Sequence, residues 1–178
     1  GAVSCVGIND VDAAQSVISH LVEKGYQRIA LINHDLSYKY ARLRERGYKA
    51  ALHALSLEYQ AVEYASELSS SAGIAAMKTF LAAEVKPDAV FAVSDTLAAG
   101  AMRAIFDAGL QIPQDIAVVG FDGTELAEMV SPQLSTIEQP SRDIGRKAVG
   151  LLLNKIENPD AQTERVMMDW RYISRAST

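Results

Sequence analysis

Cysteine is nearly absent from this chain: Cys5 is the single one in 178 residues. No internal disulfide can form, and a reducing compartment, the cytoplasm, is the natural setting. Cys5 lies inside a strand-like run and reads as a small buried apolar residue. Histidine is scarce too, and His20, His34 and His53 have no carboxylate or cysteine at a metal-ligand spacing. No metal or cofactor is expected. No glycine-rich loop follows any strand; Asn33-His34-Asp35-Leu36 lacks the glycines that close approach of a phosphate needs. No serine sits in a nucleophile elbow, so an enzyme is not expected. No apolar run reaches membrane-spanning length. A basic excess is missing as well. With a net charge of −5, this chain by itself does not grip a phosphate backbone.

What is present is a 49% hydrophobic chain, long enough for one well-cored domain. Apolar bursts alternate with helical patterns. Strands are expected at Val3 to Ile8, Arg28 to Ile32, Gln60 to Tyr64, Ala89 to Val93 and Ile116 to Gly120, with Arg165 to Ile173 as a single last, alternating edge strand. Asp10 or Asp12 caps a helix that ends at Gly25. Further helices cover Tyr38 to Leu55, the stretch after Ser69-Ser70-Ser71, the stretch capped by Asp95, and Ser141 to Ile156. The stretch from Gly123 to Pro132 is irregular. Strands alternating with helices of this size make right-handed crossovers, so the fold class is α/β, a parallel sheet with helices on both faces.

The organising segment is Ile116-Ala117-Val118-Val119-Gly120-Phe121-Asp122. Open α/β sheets bind ligands beyond the carboxyl ends of their strands, and Asp122 falls there. Asn9-Asp10-Asp12, Asn33-His34-Asp35 and Ser94-Asp95 fall at the ends of other strands. Each alone reads as a helix cap; together they ring one sheet edge where a small polar ligand would lie. Arg44 lies early in its helix and could reach back over that edge as a bidentate fork, although spacing alone favours a solvated helix arginine.

Several ordered segments carry a resemblance. They are Gly25-Tyr26-Gln27-Arg28-Ile29-Ala30, Arg44-Glu45-Arg46-Gly47-Tyr48, Pro87-Asp88-Ala89-Val90-Phe91-Ala92-Val93-Ser94-Asp95, the run from Pro113 to Asp122, Pro132-Gln133-Leu134-Ser135-Thr136-Ile137-Glu138-Gln139-Pro140, and the ending Ile173 to Thr178. The set resembles the LacI/GalR family of bacterial transcriptional regulators from the first strand to the last residue. The resemblance implies a periplasmic-binding-protein type I-like effector domain, two α/β subdomains flanking a cleft. Residues 1–139 and 164–178 would form the C-terminal subdomain, and 141–156 a crossover helix that normally packs on an N-terminal subdomain outside this sequence. Left uncovered, that helix would be displaced, poorly ordered or packed on another chain. The start Gly1-Ala2-Val3-Ser4 is neither a signal peptide nor an initiator, which implies an upstream portion that includes the helix-turn-helix domain for operator DNA.

Carried over by the resemblance, Asp122 matches the effector-contacting aspartate and Arg44 the arginine of an Arg-x-x-Gly-aromatic motif. Ser94 would face the cleft, and Tyr38 and Tyr40 fall at variable contact positions. Where the family commonly has Asp-Asn after its first strand, this chain has Asn9-Asp10; Asp12 is carried over and Asn9 is not. Leu68 stands near a position that often supplies a stacking aromatic, a role that Tyr38 or Tyr40 would take. The implied effector is a small sugar or related polyol. Leu126, Met129 and Val130 would meet a partner's surface in a homodimer. The alternative is a periplasmic sugar-binding protein of a transport system; a doubly wound sugar-nucleotide transferase comes third, lacking a base or phosphate loop.

Overall fold

The computed structural model describes residues 3–178; Gly1 and Ala2 of the opening segment lie outside the described residues. In chain order the elements are β1 (Cys5–Gly7), α1 (Asp10–Glu23), β2 (Ile29–His34), α2 (Lys39–Ala54), β3 (Ala61–Ala65), α3 (Ser70–Ala82) and β4 (Ala89–Ala92). There follow α4 (Asp95–Asp107), β5 (Ala117–Asp122), α5 (Leu126–Met129), β6 (Ser135–Glu138), α6 (Ser141–Glu157), β7 (Arg165–Met167) and β8 (Arg171–Ile173).

Six strands make one sheet in the order β3-β2-β4-β5-β6-β8. All its pairings are parallel except β6 with β8. Burial explains which runs form its centre. Every residue of β2 and β4 is buried, and only Asp122 of β5 is not, as a parallel sheet covered on both faces requires. The α/β expectation therefore holds.

Four local expectations are corrected. The first strand does not join the main sheet: β1 pairs in parallel with β7 in a separate two-stranded sheet. The last strand is two short ones, because Met168-Asp169-Trp170 carries the chain from one sheet to the other. Residues 5–7 and 165–167, from the ranges 1–139 and 164–178, therefore lie outside the six-stranded sheet. The caps also differ: Asn9 Oδ1 accepts from Asp12 N–H at 3.3 Å, and Ser94 Oγ accepts from Leu97 N–H at 3.1 Å, so none of Asp10, Asp12 and Asp95 is the cap. Finally, Cys5 is exposed rather than buried, since β1 has few neighbours to cover it.

Helix α6 forms in full and rests against β1 rather than being displaced. None of its residues is buried, and Val149, Leu152, Leu153 and Ile156 are all more than half exposed, Ile156 at 66%. An apolar face this size on a globular chain marks a contact surface.

On the other side of the molecule α3 and α4 meet at backbone distance. A methyl group on Gly100 would lie 2.1 Å from the Ser70 carbonyl oxygen, and one on Gly73 would lie 2.2 Å from the Leu97 carbonyl. Only hydrogen fits at either place. Gly100→Ala is expected to lower stability by about 1–3 kcal/mol despite the better helix propensity of alanine. A urea melt checks this, and an unchanged midpoint would mean the helices are not in contact there.

Candidate functional site

Four strand ends converge beyond the carboxyl edge of the sheet. They bound a cavity of about 330 Å³ lined by Gly7, Ile8, Asp10, Tyr40, Arg44, Leu68, Val93, Asp122, Gln139 and Ile144, among others. Walls from β1, α1, α2, β4, β5 and α6 thus meet in one place. The volume lies at the lower end of the range for small-molecule sites.

Arg44 is the central side chain. It leaves the second turn of α2 and is only 4% exposed, so it is not the solvated arginine that spacing favours. Its Nε donates to Asp10 Oδ1 at 2.9 Å and its Nη1 to the Val93 carbonyl at 2.7 Å. The guanidinium carbon lies 3.4 Å from the centroid of Phe121 and 4.9 Å from that of Tyr40. Such desolvated cation–π contacts stabilise by about 2 kcal/mol or more. Arginine has five N–H donors, so the two engaged here leave donors for a ligand.

Asp122 closes β5. Its backbone φ of 111° is a left-handed value unusual for a residue with a side chain. Its Oδ1 accepts from Gln139 Nε2 at 2.6 Å and lies 3.9 Å from Arg44 Nη1. Burial raises its pKa to about 6, with Arg44 and Gln139 pulling the other way. A carboxylate in this position accepts paired hydrogen bonds from vicinal hydroxyls.

Asp95, one strand over, performs a different task. It is 1% exposed and takes Thr136 Oγ1 at 2.6 Å, Thr124 N–H at 2.7 Å and Thr124 Oγ1 at 2.9 Å. Those bonds occupy its carboxylate and tie α4 to β6 and to the loop after β5. Burial still pushes its pKa upward.

Of the residues carried over from sequence, the structure brings Arg44, Asp122 and Tyr40 to the cavity. Three others lie elsewhere. Ser94 is buried with its hydroxyl given to the α4 cap; Tyr38 is half exposed and stacks on His34 at 4.5 Å between centroids; Asp12 is exposed on α1 and does not line the cavity. Phe121 and Gln139 were not singled out in the sequence, and Asp10 only as one of the polar residues ringing the sheet edge. Asp10 and Gln139 each follow a strand end, which was the available clue, while Phe121 reads only as a core aromatic. Leu126 and Val130 are half-buried and Met129 is 79% exposed, on the short helix α5 and its end, where an irregular stretch was expected. No cluster of three or more metal-type side chains exists among the described residues.

A mostly parallel sheet with a polar cavity at its carboxyl edge, facing a second small sheet, defines a periplasmic-binding-protein-like ligand-binding domain. The family model of that description matches residues 18–178. The ribose operon repressor of Escherichia coli (strain K12) is 37% identical over 159 residues, covering 89% of this chain and 48% of the repressor. The crystal structure of an uncharacterized protein from Actinobacillus succinogenes is 47% identical with a TM-score of 0.97, covering 100% of this chain and 66% of that one. A LacI family transcriptional regulator from Enterococcus faecium, solved with bound ribose, is 28% identical with a TM-score of 0.91, covering 98% of this chain and 65% of the other. The chain belongs to the periplasmic-binding-protein-like domain family, in the form carried by LacI-family regulators. It spans about half the length of the curated relatives it matches.

The raised pKa of Asp122 has a sign that can be measured. The folded form holds the proton more tightly than the unfolded chain, so this group's contribution to stability falls as pH rises from about 4 through about 6. Asp122→Asn is therefore expected to stabilise the protein at pH 7.5 by about 1–2 kcal/mol, allowing for the partly solvated carboxyl. The gain shrinks below pH 6 and vanishes near pH 4. Melting temperatures across that range check the sign; a gain that grows on acidification contradicts it.

Proposed function

We propose that the full-length protein is a cytoplasmic LacI-family transcriptional regulator, and that this chain is its effector-sensing and dimerisation part. The effector is a small neutral carbohydrate or related polyol. It binds in the cavity between the six-stranded sheet and a subdomain that β1, β7 and α6 begin, with Asp122, Arg44, Tyr40, Asp10 and Gln139 as its contacts. Binding favours one closure angle of the two subdomains, and operator affinity changes with it. Operator DNA is held by a helix-turn-helix domain beyond these residues.

The observation that carries the reading is the pairing of a buried, fixed guanidinium with a partly solvated carboxylate, 3.9 Å apart at the cavity wall. Together they offer donors and an acceptor, the set that hydroxyls need, and their charges offset each other, which disfavours an anionic ligand. The relatives support the class: among them are the ribose operon repressor and a LacI family transcriptional regulator solved with bound ribose. They favour regulation over the alternative of a periplasmic transport protein.

Calorimetry with a panel of neutral sugars that begins with D-ribose tests the site. Asp122→Ala and Arg44→Ala are each expected to weaken binding by about 2–4 kcal/mol, the loss of a charged hydrogen-bond partner from a largely buried site. Unchanged affinity in both variants would remove the assignment.

The dimer is the second part of the reading. Met129 stands exposed beside half-buried Val130 and Leu126, a small apolar patch fit for two-fold pairing of the kind a palindromic operator requires. Sedimentation of Val130→Asp against the parent should show a dimer falling to monomer, because the charge is desolvated without a partner. A parent that is monomeric at high concentration would defeat this part alone.

A further inference from the structure

We propose that His34 is a positioning residue for effector binding: it fixes the Tyr40 ring, and through that ring the Arg44 guanidinium, in the cavity. The inference rests on the reading of this cavity as the effector site, and it adds a residue outside the cavity wall.

His34 ends β2 and is 6% exposed. Its backbone is held at the strand end by the Asn33 side chain, whose Oδ1 accepts from His34 N–H at 2.8 Å. The imidazole is therefore a fixed point rather than a mobile loop group. Its Nδ1 is hydrogen-bonded to the Tyr40 hydroxyl. Its ring lies nearly parallel to both neighbours, 4.5 Å and 17° from Tyr38, 6.0 Å and 22° from Tyr40. Tyr40 in turn covers Arg44, and Arg44 lies on Phe121. One continuous layer of flat groups thus runs from the protein surface at Tyr38 to the sheet interior at Phe121.

Tyr40 has little else to hold its outer end. It is the second residue of α2, half-buried, on a helix whose first turn has no side-chain cap. A tyrosine there exchanges among its few staggered rotamers unless its hydroxyl is tied. The hydroxyl's tie to His34 holds the ring at the angle that keeps water off Arg44. Freed, the ring would expose one face of the guanidinium, whose strength toward a ligand depends on desolvation.

The test reads Arg44 directly and needs no effector, so its failure is separable from failure of the cavity assignment. In the full-length protein with ¹⁵N-labelled arginine, the Arg44 Nε–H resonance, assigned by its loss in Arg44→Lys, is expected to carry an upfield ring-current shift, set against the downfield effect of its bond to Asp10, and to exchange slowly with water. His34→Ala should shrink the shift and speed the exchange. Tyr40→Phe, which keeps the ring and removes the tie, should do the same, and the double variant should add nothing further. His34→Asn, whose amide reaches the place of Nδ1, should restore the parent signal. An Arg44 signal that survives Tyr40→Phe overturns the proposal, whether or not His34→Ala folds. So does an equal loss in His34→Ala and His34→Asn, or additive effects in the double variant, since plain packing would give either.

Discussion

The buried guanidinium of Arg44 is the constraint on which the site depends. A cation taken out of water costs several kcal/mol unless its surroundings replace the lost hydration. Here that replacement comes from three places at once: the Asp10 carboxylate of α1, the Val93 carbonyl just past β4 and the Phe121 ring of β5. None of the three can shift without stranding the charge. Arg44 therefore fixes where α1 begins and how α2 lies over the sheet, and it holds the end of β5 in register with both. A shorter or more mobile cation would not do this. Lysine has no plane to lie on Phe121 and no fork to span an oxygen on each side.

The two carboxylates at neighbouring strand ends stand in opposite surroundings. Asp95 is closed off and its bonds are internal. The fit is tight enough that a methyl group on Gly120 would sit 2.4 Å from its Oδ1, which explains glycine in the middle of a buried valine-rich strand. Asp122 is the reverse case, with a backbone in the left-handed region and a carboxyl whose ionised form is disfavoured by burial. Strain of this sort collects where a fold holds a group ready for a ligand.

How much of this was legible in the sequence follows from what each residue must satisfy. The central strands announce themselves because a run buried on both faces has to be apolar throughout, as Ile116 to Gly120 is. Asp122 was marked by its place past a strand's carboxyl end, whereas Arg44 needed the resemblance, since an arginine in a helix looks the same whether it faces water or a sheet edge. The placement of β1 was not legible: Val3 to Ile8 is as apolar as a core strand, and nothing local says that its hydrogen bonds go to residues 165–167. Asp10 and Asp12 cannot be told apart in the sequence. Once Asn9 caps α1, Asp10 lies in the first turn at the cavity and Asp12 is left in solvent. Phe121 could not be told from packing, because a ring beneath a cation and a ring in a core have the same apolar neighbours in sequence.

The chain passes between the two sheets three times: from β1 into α1, from β6 into α6, and from β7 into β8. Two of the strands involved, β1 and β7, lie side by side and parallel. A pair of parallel straps resists shear and twist but yields to bending across their common width. The third crossing, through Gln139 and Pro140, adds a further tether. Three separate crossings therefore restrict how one sheet can move against the other more than a single linker would. The cavity lies beside them, with Ile8 from one crossing and Gln139 from another among its walls. Its width is set by the same short connections that join the two sheets.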